Sequence, residues 1–363
     1  MFSVKENQPE HILITGGAGF IGANLAAHLL ATTDARITVF DDLSQPGAEV
    51  NVTWLRSQAR AARLRFLRGD VRSELRVREA LNDVDEVYHL ASRSESPVES
   101  CETFDVNVRG TLHVLEAARN SGRSPMVYYI STSKVYNALS SDVLEQHGDR
   151  LQPIEAGFRG IAEQAPANFA SPHICSKGAA DRAVLDYARF YGLPGVVLRA
   201  DSVAGPRQFD GAGHGWVAHL VYSILGGEPV TVYGSGMQVC EVLHVSDVVN
   251  SLMAARNFRA IAAGNAFNIG GGPAHTISVN EMIGLIERVC HRSAQVQHAP
   301  ARPEDRLFYM ADSSAFMSST GWFARRSLEQ TVRDVAAFWH ASQAHVRKAP
   351  LAGLAVPQHR QAA

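Results

Sequence analysis

The sequence predicts an α/β fold, a doubly wound parallel sheet of the Rossmann type with a smaller C-terminal substrate-binding α/β lobe. Two observations lead to this prediction. From residue 11 onward, apolar runs of strand length alternate with segments of helical period, a pattern typical of βαβ units. A glycine-rich turn joins the first such run to the first helical segment, as in dinucleotide-binding folds.

The strands and helices of this sheet can be read in order along the N-terminal half of the chain. The predicted strands are 11–15, 36–41, 65–70, 86–91, 126–131 and 195–200. The clearest helical segments are 20–31, 104–120 and 176–191. Because helical segments intervene between strands, successive strands can lie parallel in one sheet.

Beyond residue 200 the chain consists of Gly- and Pro-rich loops, short strands and further helices. We predict a dinucleotide-binding domain from residues 1–200 and about 233–272, and a substrate-binding lobe from about 201–232 and 273–345, with a cleft between them. Residues 346–363 have weak periodicity and two prolines, so we expect a disordered tail.

Composition and charge limit the classes of partner. Of 363 residues, 46% are hydrophobic and 19% charged, with a formal net charge of −2. These values indicate a globular chain without a field that would attract nucleic acid or a membrane surface. We find no signal peptide and no apolar run of about 20 residues, so we expect a cytoplasmic protein. The four cysteines lack the spacing of metal ligands, and no metal is expected.

The turn after the first strand carries glycines at positions 16, 19 and 22. Glycine permits a tight turn, and the unpaired N–H groups of the following helix favour a pyrophosphate. Asp41 ends the second strand, where an acidic side chain binds ribose hydroxyls and repels a 2′-phosphate. The pattern therefore favours NAD over NADP. Asp70, after the third strand, either reaches the adenine or caps the next turn.

These segments resemble the extended short-chain dehydrogenase/reductase family of NAD-dependent nucleotide-sugar epimerases and dehydratases. The resemblance rests on TGGAGFIG (15–22), FDDLS (40–44), GDVR (69–72), HLAS (89–92), NVRGTLHVLEAAR (107–119), STSKVY (131–136), SKGAADRAVLDYAR (176–189), GPRQ (205–208), GNAFNIGGG (264–272) and ARPED (301–305). Within the family, the chain is most similar to the subgroup of CDP-paratose (CDP-tyvelose) 2-epimerases.

The resemblance implies a redox-neutral epimerase that acts on a nucleotide-activated sugar. A tightly held NAD would take a hydride from a sugar carbon and return it to the other face of the transient ketone. It also implies a homodimer that pairs helices 104–120 and 176–191 of two subunits. The cofactor-binding residues that we expect are Gly16, Gly19, Phe20, Ile21, Gly22, Asp41, Asp42, Ser44, Asp70, Val71, Leu90, Ala91, Asn107 and Lys177.

The family's catalytic group is a Tyr-xxx-Lys pair on a helix, assisted by a hydroxyl after the fifth strand. Thr132 matches the hydroxyl and Lys177 the lysine, but His173 stands where the tyrosine is expected. An imidazole is a base near neutral pH without a large pKa shift, yet it becomes a cation beside Lys177 on accepting a proton. Three readings stay open: His173 is the acid/base, it positions substrate while Thr132 or Lys134 transfers the proton, or turnover has been lost.

The resemblance also implies a set of substrate-binding residues. They are Ser92, Ser94, Ser133, Lys134, Ser202, Arg207, His214, Trp216, Cys240, Arg302 and Asp305. Arg302 and Asp305 could instead form a surface salt bridge. Trp216 could instead be part of the hydrophobic core of the lobe. Cys240 stands near the family's phosphate-binding arginine, which this chain lacks.

Other activities of the family remain as alternatives. A 4,6-dehydratase would have Asp-Glu after Thr132, and a decarboxylase would have glutamate at position 134, whereas this chain has Ser133 and Lys134. A non-catalytic NAD-binding protein is a further alternative, against which the retained Lys177 weighs.

Overall fold

A computed structural model describes residues 10–93, 100–209, 215–302 and 305–346. The strands are β1 (His11–Thr15), β2 (Arg36–Asp41), β3 (Leu64–Arg68), β4 (Glu86–His89), β5 (Met126–Thr132), β6 (Leu144–His147), β7 (Arg150–Pro153), β8 (Gly195–Ala200), β9 (Ser202–Ala204), β10 (Val230–Tyr233), β11 (Val239–His244), β12 (Ala266–Asn268), β13 (Thr276–Ser278) and β14 (Val296–Ala299). The helices are α1 (Phe20–Thr32), α2 (Ala48–Arg56), α3 (Glu74–Ala80), α4 (Ser100–Phe104), α5 (Gly110–Asn120), α6 (Pro172–Tyr191), α7 (Trp216–Gly226), α8 (Val245–Asn257), α9 (Arg259–Ala262), α10 (Val279–Cys290), α11 (Ser314–Thr320) and α12 (Leu328–Val346).

In the described part of the chain, seven parallel strands form one sheet in the order β12-β8-β5-β4-β1-β2-β3. From β1, the chain adds β2 and β3 on one side of the sheet. It then adds β4, β5, β8 and β12 on the other side. The strand order therefore reverses between β1 and β4, which is where a doubly wound sheet opens a crevice at its carboxyl edge. The predicted fold class is confirmed.

The helix that carries His173 and Lys177 begins four residues before the predicted segment 176–191. Ser171 accepts a hydrogen bond from the backbone N–H of Ile174 and caps the helix, and Pro172 occupies its first position. A serine cap followed by proline favours a helix start at this point. His173 consequently lies in the first turn of α6. The predicted helix 104–120 also differs, because a π-helical turn over 105–109 separates α4 from α5.

The core of the sheet is buried on both faces. In β1, Ile12 and Ile14 belong to one apolar cluster and Leu13 to the cluster on the opposite face, and none of the three is exposed. Strands covered by helices on both sides are expected to be apolar throughout.

A smaller lobe is built from the later elements. β9, β11 and β13 form a three-stranded sheet, and β10 pairs with β14. Helices α7, α10 and α12 pack around a second apolar cluster. The β6–β7 hairpin contacts this lobe, since the Leu151 N–H donates to the Met237 carbonyl at 2.9 Å. The predicted domain boundaries stay a prediction, and residues 347–363 of the predicted tail lie outside the described residues.

One buried ion pair fixes α8 to the sheet. The Nε of Arg256 donates to Oε2 of Glu86 at the start of β4 at 2.9 Å, and the two side chains are 11% and 3% exposed. Burial raises the pKa of the Glu86 carboxyl, and the Arg256 guanidinium opposes that rise.

Replacing Arg256 with alanine should lower the free energy of unfolding by about 3 to 5 kcal/mol, because it leaves a buried carboxylate without its counter-ion. The loss should shrink as pH falls, since protonation of Glu86 removes the uncompensated charge. Urea unfolding at neutral and mildly acidic pH measures both effects. Arg333→Ala removes an exposed pair with Glu329 and should cost less than about 1 kcal/mol. Equal losses of unfolding free energy in Arg256→Ala and Arg333→Ala would contradict the view that the buried pair of Arg256 and Glu86 fixes α8 to the sheet.

Candidate active site

The turn between β1 and α1 approaches its neighbours so closely that it excludes side chains. Gly16 has a φ of 66°, in the left-handed region that favours glycine, and a Cβ there would lie 2.6 Å from the backbone nitrogen of Ala91. A Cβ at Gly22 would lie 2.3 Å from the carbonyl oxygen of Gly16. No side chain caps the N-terminus of α1, so its first N–H groups remain available to an anion.

A cleft of about 340 Å³ opens over this turn at the carboxyl edge of the sheet. Its walls come from the glycine turn, the ends of β4 and β5, the first turns of α6 and the loop after β9. The described residues that line it are Gly16, Gly19, Phe20, Ile21, Gly22, Gln45, Pro46, Asn51, Leu90, Ser92, Ile130, Thr132, Lys134, His173, Lys177, Arg207 and Phe209. The fold thus brings the glycine turn and the predicted catalytic residues into one cleft.

The charge of the cleft favours an anionic ligand. Lys134, Lys177 and Arg207 contribute cationic groups, and the described lining residues include no carboxylate. Cationic clefts attract anions such as phosphate groups.

Asp41 joins the glycine turn to the end of β2. Its Oδ2 accepts from the Ala18 N–H at 3.0 Å and its Oδ1 from the Leu43 N–H at 2.8 Å. Burial raises the pKa of this carboxyl. A carboxylate oxygen has two lone pairs, so these bonds leave acceptor capacity for the predicted ribose contact, which stays a prediction.

The other acidic residues near the strand ends form local contacts. Asp42 accepts from the backbone N–H and the hydroxyl of Ser44 at 2.9 and 2.7 Å. Asp70 accepts from the Arg72 backbone at 2.8 Å and pairs with its guanidinium, and this pairing lowers the pKa of Asp70 against the effect of burial. The geometry fits the capping explanation of Asp70. Val71 is buried in the core beside Gly110.

Asn107 braces the segment that follows β4. Its side chain accepts from the Arg93 N–H at 2.8 Å and donates to the Arg93 carbonyl and the Ser176 hydroxyl, both at 2.9 Å. All its polar atoms bind within the protein, so the structure does not bring this predicted cofactor residue into the cleft. Leu90 does line the cleft.

Lys177 is buried at the base of the cleft. Its Nζ donates to the Ile130 carbonyl at 2.8 Å and lies 4.5 Å from the centre of the Tyr129 ring. Burial lowers the pKa of the ammonium to about 8, with Asp181 opposing the shift. A cation held under the cleft in this way is suited to binding hydroxyl groups of a ligand.

Thr132 and His173 line the same cleft as Lys177. Thr132 ends β5, and its Oγ1 accepts from the Lys134 N–H at 3.2 Å. The Thr132 hydroxyl can therefore donate its own proton to another group. His173, in the first turn of α6, precedes Lys177 by four positions, so both side chains lie on the same face of the helix.

Ser133 and Lys134 have different surroundings. Lys134 is exposed and lines the cleft, as does Ser92. Ser133 has no exposed surface, and its hydroxyl donates to Asp201 Oδ1 at 2.5 Å and accepts from Arg306 Nη2 at 2.8 Å. The prediction that Ser133 binds substrate is not supported by this geometry, because neighbouring side chains enclose the hydroxyl.

Three further predicted substrate residues lie in or near the smaller lobe. The Trp216 indole N–H donates to the Ser202 hydroxyl at 3.0 Å, which links α7 to β9. Trp216 also packs against the core of the lobe, as the alternative explanation proposed. Burial, with the nearby Asp201, raises the pKa of the Cys240 thiol to about 12.

Of the predicted arginines, Arg207 lines the cleft and Arg302 does not. The Arg207 guanidinium carbon lies 4.0 Å from the centre of the Trp54 ring. Arg302 pairs with Asp305 at 3.3 Å and lies over Tyr233 on the surface, which fits the salt-bridge explanation. Ser94 and His214, also predicted to bind substrate, lie outside the described residues.

Sequence reasoning missed several residues of this region. Asn51 on α2 donates to the Ala18 carbonyl at 3.0 Å and lines the cleft, but α2 was not among the predicted helices. Asp201 and Arg306 enclose Ser133. Their contact joins segments 105 positions apart, for which the sequence contains no signal.

The described residues form no helix long and apolar enough to cross a membrane. They also include no group of three or more His, Cys, Asp or Glu side chains placed to hold a metal ion.

Comparisons with known proteins agree with this geometry. The model of the "NAD dependent epimerase/dehydratase family" matches residues 12–270. The chain is 35% identical to a CDP-paratose 2-epimerase of Salmonella typhi, covering 89% of this chain and 97% of the relative. It is 30% identical to a dTDP-glucose 4,6-dehydratase of Streptomyces griseus, covering 91% and 94%. The dTDP-glucose 4,6-dehydratase of Streptomyces venezuelae, solved with NAD and TYD bound, superimposes with a TM-score of 0.78 at 25% identity, covering 92% of this chain and 98% of that one.

Gly22→Ala should weaken NAD binding at least about tenfold, or about 1.4 kcal/mol, because the new Cβ displaces the Gly16 carbonyl and opens the turn. Calorimetric titration with NAD measures the change. Gly284→Ala in α10 is the matched control, since its Cβ would meet only the end of Arg288 at 3.5 Å, and its affinity should equal that of wild type. Unchanged affinity in Gly22→Ala would show that the turn does not bind the cofactor.

Proposed function

Since the chain belongs to the NAD dependent epimerase/dehydratase family, whose cofactor is NAD, we propose that it is a redox-neutral epimerase of a nucleotide-activated sugar with His173 as its acid/base group. The observation that carries the proposal is that Thr132, His173 and Lys177 line one cleft with the glycine turn. The similarity to a CDP-paratose 2-epimerase over nearly the whole of both chains supports an epimerase.

The residues of the cleft fit NAD. The side-chain-free turn at Gly16 and Gly22 and the uncapped start of α1 suit a pyrophosphate. Asp41, which lies beside the glycine turn but does not line the cleft, retains acceptor capacity for ribose hydroxyls, and Lys177 would hold the nicotinamide ribose. When bound, NAD supplies a reversible hydride acceptor, so that oxidation and reduction balance within one turnover.

Thr132 and His173 would both act on the reacting sugar hydroxyl. The Thr132 oxygen already accepts the Lys134 N–H, so its proton is free to stabilise the sugar oxygen as the carbonyl forms. His173 removes the hydroxyl proton when the sugar carbon is oxidised and returns it when the carbonyl is reduced from the other face.

The position of His173 governs its charge. The N-terminus of α6 is a site of positive potential, and the Lys177 ammonium adds a second positive charge. Both act against an imidazolium at this position and favour return of the proton when the carbonyl is reduced.

A 4,6-dehydratase of the same cofactor class is the second candidate, favoured by the Streptomyces griseus relative. Ser133 and Lys134 argue against it, because they replace the acidic pair of such enzymes with a buried hydroxyl and an ammonium. The two activities differ in product. An epimerase gives an isomer of equal mass, and a dehydratase gives a product lighter by one water.

Wild-type protein with NAD should interconvert epimers of at least one CDP-, UDP-, GDP- or dTDP-sugar, detected by NMR and mass spectrometry. His173→Ala should lower kcat by about 10²- to 10⁴-fold. Activity of the wild type should fall at alkaline pH as Lys177 loses its proton near its pKa of about 8. His173→Tyr should retain turnover, because the positive field around this position stabilises the tyrosinate that would act as the base.

His298→Ala, at an exposed position of β14, is the control and should match wild type throughout. Undiminished kcat in His173→Ala would remove the acid/base assignment. Bound NAD without turnover of any of these sugars would overturn the proposed activity itself.

We also propose that two copies of the chain pair through α5 and α6. The helices are joined side by side, since the Tyr187 hydroxyl donates to Glu116 at 2.5 Å and the Arg119 guanidinium lies 4.9 Å from the Tyr191 ring centre. Their outer faces carry apolar side chains, of which Phe190 is 68% exposed. Apolar groups exposed on adjacent helices are typical of subunit interfaces.

Phe190→Glu should convert a dimer to a monomer at micromolar concentration, because it places a charge in the apolar contact. Light scattering after size-exclusion chromatography gives the mass of each form. Phe323→Glu is the control, at a 51% exposed phenylalanine outside α5 and α6, and should leave the mass unchanged. A wild-type protein that is monomeric at all concentrations would refute the pairing.

A further inference from the structure

A buried polar cluster lies behind the catalytic side of the cleft. Its members are Ser133, directly after β5, Asp201, between β8 and β9, and Arg306, on the segment between β14 and α11. The Asp201 and Arg306 side chains are only 5% and 13% exposed. We call this the Arg306 cluster.

Arg306 holds the turn after β5 at two points. Its Nη1 donates to the Ser133 carbonyl at 3.1 Å and its Nη2 to the Ser133 hydroxyl at 2.8 Å. Nη2 also pairs with Asp201 Oδ1, which accepts the Ser133 hydroxyl at 2.5 Å. A planar guanidinium can hold a carbonyl, a hydroxyl and a carboxylate with separate nitrogens fixed in one fork, whereas an ammonium is a compact point charge without that fixed geometry.

Asp201 and Tyr309 fix the guanidinium in turn. Asp201 Oδ2 accepts from the Glu241 N–H in β11 at 3.1 Å, and the Tyr309 ring centre lies 4.4 Å from the guanidinium carbon. The cluster therefore connects the ends of β5 and β8 with β11.

The turn that Arg306 holds is the one that presents the reacting groups. Ser133 lies between Thr132 and Lys134, and both neighbours line the cleft. The Ser133 carbonyl also accepts from the Tyr136 N–H at 3.1 Å, and Thr132 accepts from the Lys134 N–H. A shift of the Ser133 carbonyl would consequently move the threonine hydroxyl and the lysine ammonium together.

We infer that Arg306 is a positioning residue, which holds the Thr132 hydroxyl and the Lys134 ammonium in place through Ser133 and Asp201. Arg306 does not line the cleft, and its effect on rate rests on the proposed function. Small displacements of a catalytic group reduce kcat strongly while ligand binding elsewhere is retained.

Arg306→Lys tests the inference, because lysine keeps the charge beside Asp201 and loses the fork that spans Ser133. We expect kcat to fall at least about tenfold while the NAD affinity and the KM for the nucleotide sugar change less than about twofold. Amide hydrogen exchange over residues 131–137 should become faster. Arg256→Lys makes the same change at another buried pair, with Glu86, and should alter neither kcat nor exchange over 131–137.

Unchanged kcat and exchange in Arg306→Lys would overturn the inference and leave the proposed function intact. An equal fall of kcat in Arg306→Lys and Arg256→Lys would also overturn it, since the effect would then be general destabilisation. Faster exchange in a protein whose wild type turns over no sugar would overturn the proposed function and support the positioning role. If Arg306→Lys does not fold, Ser133→Ala removes one contact of the cluster and should show the same split between kcat and KM, the absence of which counts against the inference.

Discussion

The close packing of the glycine turn between the ends of β2 and β4 is the constraint on which the rest of the site depends. Gly16 donates its N–H to the Phe40 carbonyl at 2.9 Å and lies against Ala91, while Asp41 accepts the Ala18 N–H. These contacts set the start of α1 at the point where the strand order reverses. The cleft and the uncapped helix end coincide because Gly16, Gly19 and Gly22 place no side chain between them.

A second helix, α6, carries His173 and Lys177, on which the proposed chemistry rests. Ser171 and Pro172 begin it early enough to place His173 in its first turn, above a lysine whose ammonium is buried. The helix end and the lysine both add positive potential. A tyrosine would become an anion in that field and be stabilised, whereas an imidazole that gains a proton is opposed by it. The elements that favour an anionic cofactor therefore also act against a positive charge on the proposed base.

The residues around Ser133 show how the two parts of the chain are joined at the cleft. The turn after β5 belongs to the large sheet, and Arg306 reaches it from the segment that precedes α11. Because the partners are buried and hydrogen-bonded on every side, they favour one arrangement of the turn. The turn that follows Thr132 is thus held by a residue far away in sequence.

The sequence by itself determined the elements whose signals are local. The bounds of β1, β2 and β8 match their predicted runs, and the glycine turn and Asp41 follow from short motifs next to β1 and β2. Thr132 and Lys177 were identified through the resemblance of their segments to the family. Alternation and turn chemistry act between neighbours, so a single segment carries them. The tertiary structure decided what the side chains near the cleft do. It enclosed Ser133 and directed Asn107 into the protein, and it brought Asn51 and Arg306 to the site from distant segments. Such contacts depend on how strands and helices pack in space, and no pattern within one segment encodes them.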